Sequence, residues 1–309
     1  MNEFELIRRY FERPLVSTVN ALGDDCALVR ADAGLELALT TDMLVEGRHF
    51  SPGADPRKLG HKALAVNLSD LAAMGAAPRW ALLSIGLPSV EEQWLERFSA
   101  GLFALAARFG VELVGGDTTR AETRIINIVA LGQVPAGVAL YRSAAKPQDD
   151  IWVSGELGGA ALALQRPGIE EAERRLHEPE PRVELGERLR GIAHAAIDIS
   201  DGLVGDLGHI VERSRLGAKI YYDRLPRARA FAEVKDAMLE RDCVLSGGED
   251  YELAFTATPA RRAAIAALGE ELGLPLTRIG SMRAGEPKLE VLDADGQAIP
   301  QRGGFDHFA

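Results

Sequence analysis

Cysteine is nearly absent. The two that occur, Cys26 and Cys243, have no metal-type spacing, and the chain suits a reducing, cytoplasmic compartment. Long apolar runs are lacking too. No segment reaches the roughly 18 uninterrupted apolar residues of a membrane span. The stretch MNEFELIRRYF carries acids early and has no apolar core, so it does not read as a secretory signal. Excess positive charge is missing: 35 Lys and Arg against 46 Asp and Glu give a formal net charge of -11. That argues against nucleic acid as a partner, because phosphate backbones are bound by surplus Lys and Arg. Walker A, G-x-G-x-x-G and kinase catalytic-loop patterns are absent, as is the EF-hand loop. There is no short-period repeat and no low-complexity tract.

What is present fits a globular protein of two units. A chain of 309 residues is long for one core. The spacing predicts an amphipathic helix over Glu3 to Phe11, a strand over Leu35 to Thr41 and a helix over Pro56 to Met74. Asp55 caps that helix and Pro56 takes its first position. A strand over Trp80 to Leu87 precedes a helix ending near Phe109, with Ser89 and Glu92 as a capping box and Gly110 as the stop. Glu112 to Val114 and Ile125 to Leu131 read as strands. The pattern loosens around Pro135 to Asp150, and the boundary is placed there, giving domains 1–137 and 138–309. Beyond it, strands are expected at Ile151 to Val153, Ala195 to Ile199, Ala218 to Tyr222 and Glu252 to Thr256. Helices are expected after Gly159, near Asp206 to Ser214 and from Pro259. This alternation implies an α/β protein.

Aspartates recur at strand ends, usually beside glycine: Gly23-Asp24-Asp25, Thr40-Thr41-Asp42, Gly115-Gly116-Asp117, Asp198-Ile199-Ser200-Asp201-Gly202 and Gly247-Gly248-Glu249-Asp250. One such case means a tight turn. Five shift the balance, since buried carboxylates need partners and lysines are few. Mg²⁺ prefers carboxylate and water oxygens and bridges phosphates, so the set points to several Mg²⁺ ions around a phosphate-bearing ligand. Asp70 fits either an exposed helix face shared with Asn67 or a ligand position. VSGELGGAALAL reads first as a strand-to-helix turn, with a phosphate cradle as the alternative.

The motifs GDDCALV, TTDMLVEGRHF, KALAVNLSDLAAMGAAP, GGDTTR, YRSAAKP, IDISDGLVGDLGHI, LSGGEDYEL and GFDHF together resemble, in order and over nearly the whole chain, the thiamine-monophosphate kinase family. That family lies in the aminoimidazole-ribonucleotide synthetase-like ATP-binding superfamily. The resemblance implies a two-domain α/β (α+β) fold. Its N-terminal ATP- and Mg-binding domain pairs with a second copy in a dimeric β-barrel, and its C-terminal α/β domain completes the substrate site. It implies a homodimer acting on thiamine monophosphate and ATP, with several Mg²⁺ ions.

By the same resemblance Asp25, Thr40, Thr41, Asp42, Asp70, Asp117, Asp198 and Asp201 match magnesium positions, with Asp42, Asp117 and Asp201 catalytic. Gly116, Asp117, Arg142 and Ser200 match nucleotide positions. His49, Glu249 and Phe305 match positions contacting thiamine phosphate. Asp25 rather than Asp24 is the expected ligand, since neighbouring side chains alternate in extended chain. His61 and His209 are read as structural, and Lys62 and Lys146 as neighbours of phosphate without an assigned role. Cys26 is expected to be buried, which argues against a selenophosphate synthetase.

Overall fold

The computed structural model describes residues 2–18 and 25–300, with backbone only at Glu3 and Phe4. The chain divides into two compact units after Gly137, and the turn Ala72–Gly75 goes with the second.

In the first unit, α1 (Glu3–Tyr10) is closed by a capping box: Asn2 accepts from the Glu5 N–H and the Glu5 carboxylate accepts from the Asn2 N–H. Then come β1 (Leu35–Val45), α2 (Pro56–Ala73), β2 (Ala77–Leu87), α3 (Glu92–Phe109), β3 (Glu112–Arg120) and β4 (Ile125–Pro135). The strands form one sheet in the order β1-β4-β2-β3, with β2 and β3 parallel and the other neighbours antiparallel. Helix α2 begins where Pro56 fixes the backbone, and Asp55 accepts from the Arg57 N–H at 2.8 Å. From Leu59 to Ala73 it is buried on almost every side, with Lys62, Asn67 and Ser69 enclosed among its apolar residues.

Helix α3 stops at Gly110, in the left-handed conformation at φ 66°. Its start departs from the expected capping box. The N-cap is Glu91, whose side chain makes no capping bond. Glu91 instead takes an Arg124 guanidinium at 2.6 Å, and the Ser89 hydroxyl donates to Glu91 at 3.3 Å. The ion pair with a residue far along the chain overrides the local cap.

The second unit contains β5 (Asp150–Ser154), α4 (Gly159–Gln165), α5 (Glu170–His177), α6 (Val183–Leu189), β6 (Ala195–Asp198) and α7 (Leu203–Ser214). It continues with β7 (Gly217–Tyr221), α8 (Ala237–Ser246), β8 (Leu253–Ala257), α9 (Arg262–Leu272), β9 (Leu276–Arg283) and β10 (Leu289–Leu292). Its sheet runs β10-β7-β9-β5-β8-β6 and is mostly antiparallel, with β10 and β7 parallel. Strands β5 and β8 are buried along their whole length, as their apolar centres Ile151–Val153 and Leu253–Phe255 require, and they carry Asp150, Ser154 and Thr256 inside with them. Trp152 and Phe255 stack across them at 6.4 Å. The core around Ile151, Val153, Ile197, Leu207 and Ile279 holds the sheet against the helices. No helix among the described residues is long and apolar enough to cross a membrane.

Candidate functional site

Strand β1 lies at one edge of the first sheet, and β3 lies at the other. Alternation along β1 puts Thr40 and Asp42 on one face and Thr41 on the other. On the first face, the Thr40 hydroxyl donates to the Asp70 carboxylate from α2. Asp70 therefore does not lie on an exposed helix surface. Asn67, which shares its side of the helix, is completely buried. The Thr41 hydroxyl turns away, toward Asn127 at 3.2 Å and the Ile128 carbonyl at 3.1 Å.

Across the sheet, Asp42 is level with Ile128, Leu83 and Gly116. Asp117 belongs to the next row, beside Ser84 and Asn127, and so points to the opposite face. Three strand spacings separate β1 from β3, about 14 Å along the sheet. Gly116, at φ 148°, has no room for a side chain: a Cβ would stand 1.8 Å from the Leu83 carbonyl oxygen. Asp117 and Asp25 are exposed. Cys26 is exposed as well, contrary to expectation, because residues 25 and 26 form a bend and not a strand. Asp24 and Phe305 lie outside the described residues.

His49 closes the turn after β1. Its Nδ1 accepts from the Val45 N–H at 3.0 Å, so in the neutral ring the proton sits on Nε2. The turn is fixed from behind by Glu46, which accepts from Arg124 at 2.8 Å and from Thr123 at 3.1 Å. Burial works against ionisation of Glu46, but the bonds from Arg124 outweigh it and hold the carboxyl below its usual range.

In the second unit the predicted residues come together at the carboxyl end of β6. Asp198 ends that strand and is buried. The N–H groups of Ser200 and Asp201 both donate to Asp206, each at 3.0 Å. Asp206, on α7, is not among the residues the sequence singles out; an aspartate in an otherwise apolar helical turn is the signal that marks it. Burial is the largest influence on its carboxyl, and with the charge of Asp201 it outweighs the two N–H bonds and the Arg142 charge, pushing it up to about 7.

Arg142 stands exposed in a short 3₁₀ turn tied to the end of α7 through its carbonyl and the Ser214 hydroxyl, 2.9 Å apart. Glu249 joins the same group: its N–H donates to the Ser200 carbonyl at 2.8 Å. In the VSGELGG turn the Gly158 N–H donates to the Asp250 carboxyl at 2.8 Å, so this donor has a protein partner.

Among the described residues, no three His, Cys, Asp or Glu side chains of one chain converge tightly enough to hold a metal alone. The donors are nonetheless of the right kind. Carboxylate and hydroxyl oxygens in ones and twos suit Mg²⁺, which takes few protein ligands and completes its shell with phosphate and water oxygens.

Residues 23–134 match the family described as AIR synthase related protein, N-terminal domain, and residues 146–291 match its C-terminal domain. The fold is thus the two-domain α/β fold of AIR synthase related proteins. The thiamine-monophosphate kinase of Salmonella typhimurium is 46% identical over 99% of this chain and 98% of its own. The crystal structure of thiamine-monophosphate kinase from Stenotrophomonas maltophilia superposes with a TM-score of 0.86 at 45% identity, covering 96% of each chain. A structure described as AaThiL complexed with AMPPCP and TMP reaches 0.78 at 31% identity, covering 98% of this chain and 95% of that one. This chain belongs to the thiamine-monophosphate kinase family.

Proposed function

We propose that the chain transfers the γ-phosphoryl group of ATP directly to the phosphate of thiamine monophosphate, giving thiamine diphosphate and ADP. The observation that carries this reading is likeness over the full length to kinases of that name, one of which binds AMPPCP and TMP together.

The acceptor needs little help to become a nucleophile. A phosphate monoester has its second pKa at about 6, so its oxygen is already anionic at neutral pH. The difficulty is bringing two anions together in line, which is a matter of positioning and electrostatics. Bound Mg²⁺ would supply the countercharge. In the first unit Asp25, Thr40, Thr41, Asp42, Asp70 and Asp117 would hold it, and in the second Asp198 and Asp201. Asp42, Asp117 and Asp201 are the carboxylates assigned to the reacting phosphates. Thr40 keeps the Asp70 carboxylate turned toward β1.

Gly116 lets the backbone approach the nucleotide closely, Ser200 offers a hydroxyl, and Arg142 offers a forked donor to phosphate. His49 presents its Nε2–H, Glu249 accepts from an aminopyrimidine, and Phe305 stacks on the cationic heterocycle. No serine or histidine is needed as a covalent nucleophile.

A homodimer belongs to the same proposal. Edge strand β1 exposes Leu37, Leu39 and Met43 on one face, a stripe suited to a second copy. The opposed positions of Asp42 and Asp117 support it too, since one copy does not put both on a single ion. We place the protein in the cytoplasm. A coupled ADP-release assay tests the reading: thiamine monophosphate should give ADP with Mg²⁺ present, and free thiamine should not. Equal turnover of both would refute it.

A further inference from the structure

We propose that Arg182 is the positioning residue for the loop that carries Glu249, and that it acts through Glu252. The inference rests on the reading of Glu249 as a substrate contact.

The starting observation is backbone strain. Glu249 has φ 71° and Tyr251 has φ 49°, two left-handed non-glycine residues in a three-residue stretch. Such a conformation is unfavourable for a side chain with a Cβ and persists where the surroundings over-determine it. The surroundings here are specific. On the backbone side, Glu249 and Tyr251 donate to the carbonyls of Ser200 and Ile199, each at 2.8 Å, and Ile199 donates back to the Glu252 carbonyl at 2.8 Å. These bonds lay the loop along the Ile199–Ser200 segment, beside Asp198 and Asp201.

On the side-chain side, the loop is anchored at its far end. The Glu252 carboxylate is buried, with 1% of its side chain exposed. It receives Nε of Arg182 at 2.6 Å, the second Arg182 nitrogen Nη2, and the Ser154 hydroxyl at 2.6 Å. A planar guanidinium forking onto a carboxylate fixes both the distance and the plane of the group it holds. Ser154 also accepts from the Leu253 N–H at 2.9 Å, so one hydroxyl ties the first residue of β8 to the same carboxylate.

The backbone opposite has been cleared for it. Gly155 stands at φ 59°, and a Cβ there would lie 1.9 Å from Glu252 Oε1. Arg182 is 70 residues from Glu252 and carries no role in the reaction as described. Its guanidinium ends a chain of contacts that runs through Glu252 and the loop backbone to Glu249. A buried, fully engaged ion pair one turn of chain from a strained recognition residue is more than core stability requires, since apolar groups of like size serve stability as well.

The test separates positioning from folding. Glu249→Ala, Arg182→Lys and Ser154→Ala are assayed for kcat and for KM of each substrate, and amide exchange is followed in the folded variants. Arg182→Lys and Ser154→Ala should raise KM for thiamine monophosphate between about tenfold and a hundredfold and leave KM for ATP unchanged. The Glu249 and Tyr251 amides should exchange faster while those of β8 beyond Leu253 stay protected. Ser154→Ala removes the hydroxyl's two hydrogen bonds, to Glu252 and from the Leu253 N–H, and keeps the ion pair, so it decides the matter should Arg182→Lys not fold. Equal loss on both substrates, or unchanged KM for thiamine monophosphate in variants while Glu249→Ala raises it, overturns the positioning role alone. An unchanged KM in Glu249→Ala overturns the reading beneath it.

Discussion

The Thr40 hydroxyl, on an edge strand, donates to the carboxylate of Asp70, on a helix buried on nearly all sides. The bond joins residues 30 positions apart and fixes where the acidic face of the first unit lies. Asp42 shares that face through the alternation of β1. Loss of charge there should therefore harm chemistry and spare the fold. Asp42→Asn is expected to lower kcat by a factor on the order of 10³, the scale of one electrostatic contact in a transition state. Its melting temperature should match the parent, as read by circular dichroism.

Thr40→Val removes the donor and leaves Asp70 a carboxylate in a half-buried place. The expected result is a loss of stability of about 1–2 kcal/mol, the cost of taking one hydrogen bond from a partly buried carboxylate. Urea titration measures it. Mg²⁺ affinity should fall with it, and an unchanged affinity in that variant would show that Thr40 does not orient Asp70.

Glu112 offers a prediction in pH. Burial pushes its carboxyl up, but bonds from the Thr18 hydroxyl and from the Ser17 and Val16 N–H groups outweigh it and hold the carboxyl at about 2. The folded value lies below the unfolded one, so this tether contributes its full stability above about pH 4.5 and loses it as pH falls toward 2. Proteolysis near Val16 should accelerate over that window. Glu112→Gln should show the faster cleavage already at neutral pH.

Asp250 titrates in the opposite sense. Burial is the main cause that raises its carboxyl to about 8, with the Glu252 charge adding to it and the Gly158 N–H opposing. The folded state then holds a proton that the unfolded state has released. Stability from this group is full below pH 3.8 and lost as pH rises through about 8. Asp250→Asn should flatten the fall in melting temperature across that range.

Much of this was legible in the sequence where the signal is local. Pro56 with Asp55 marks the start of α2, Gly110 marks the end of α3, and the apolar runs of β5 and β8 announce buried strands. Signals that depend on distant partners were not. The Ser89–Glu92 cap failed because Arg124 claims Glu91. Strand β9, LTRIGSMR, sits between β5 and β7 and yet carries too many polar residues to read as an interior strand. Helix α8 mixes charged and apolar residues without a clean period. The aspartate motifs were visible as a set. Their division between two faces of one sheet was not, because register between β1 and β3 passes through two other strands.

The central claim is direct delivery of a phosphoryl group to a phosphate acceptor. It is tested most directly by following labelled γ-phosphate from ATP with thiamine monophosphate and Mg²⁺. The label should appear in thiamine diphosphate, one for each ADP formed. Label released only as inorganic phosphate, or retained on the protein as a covalent adduct that turns over, would contradict the account.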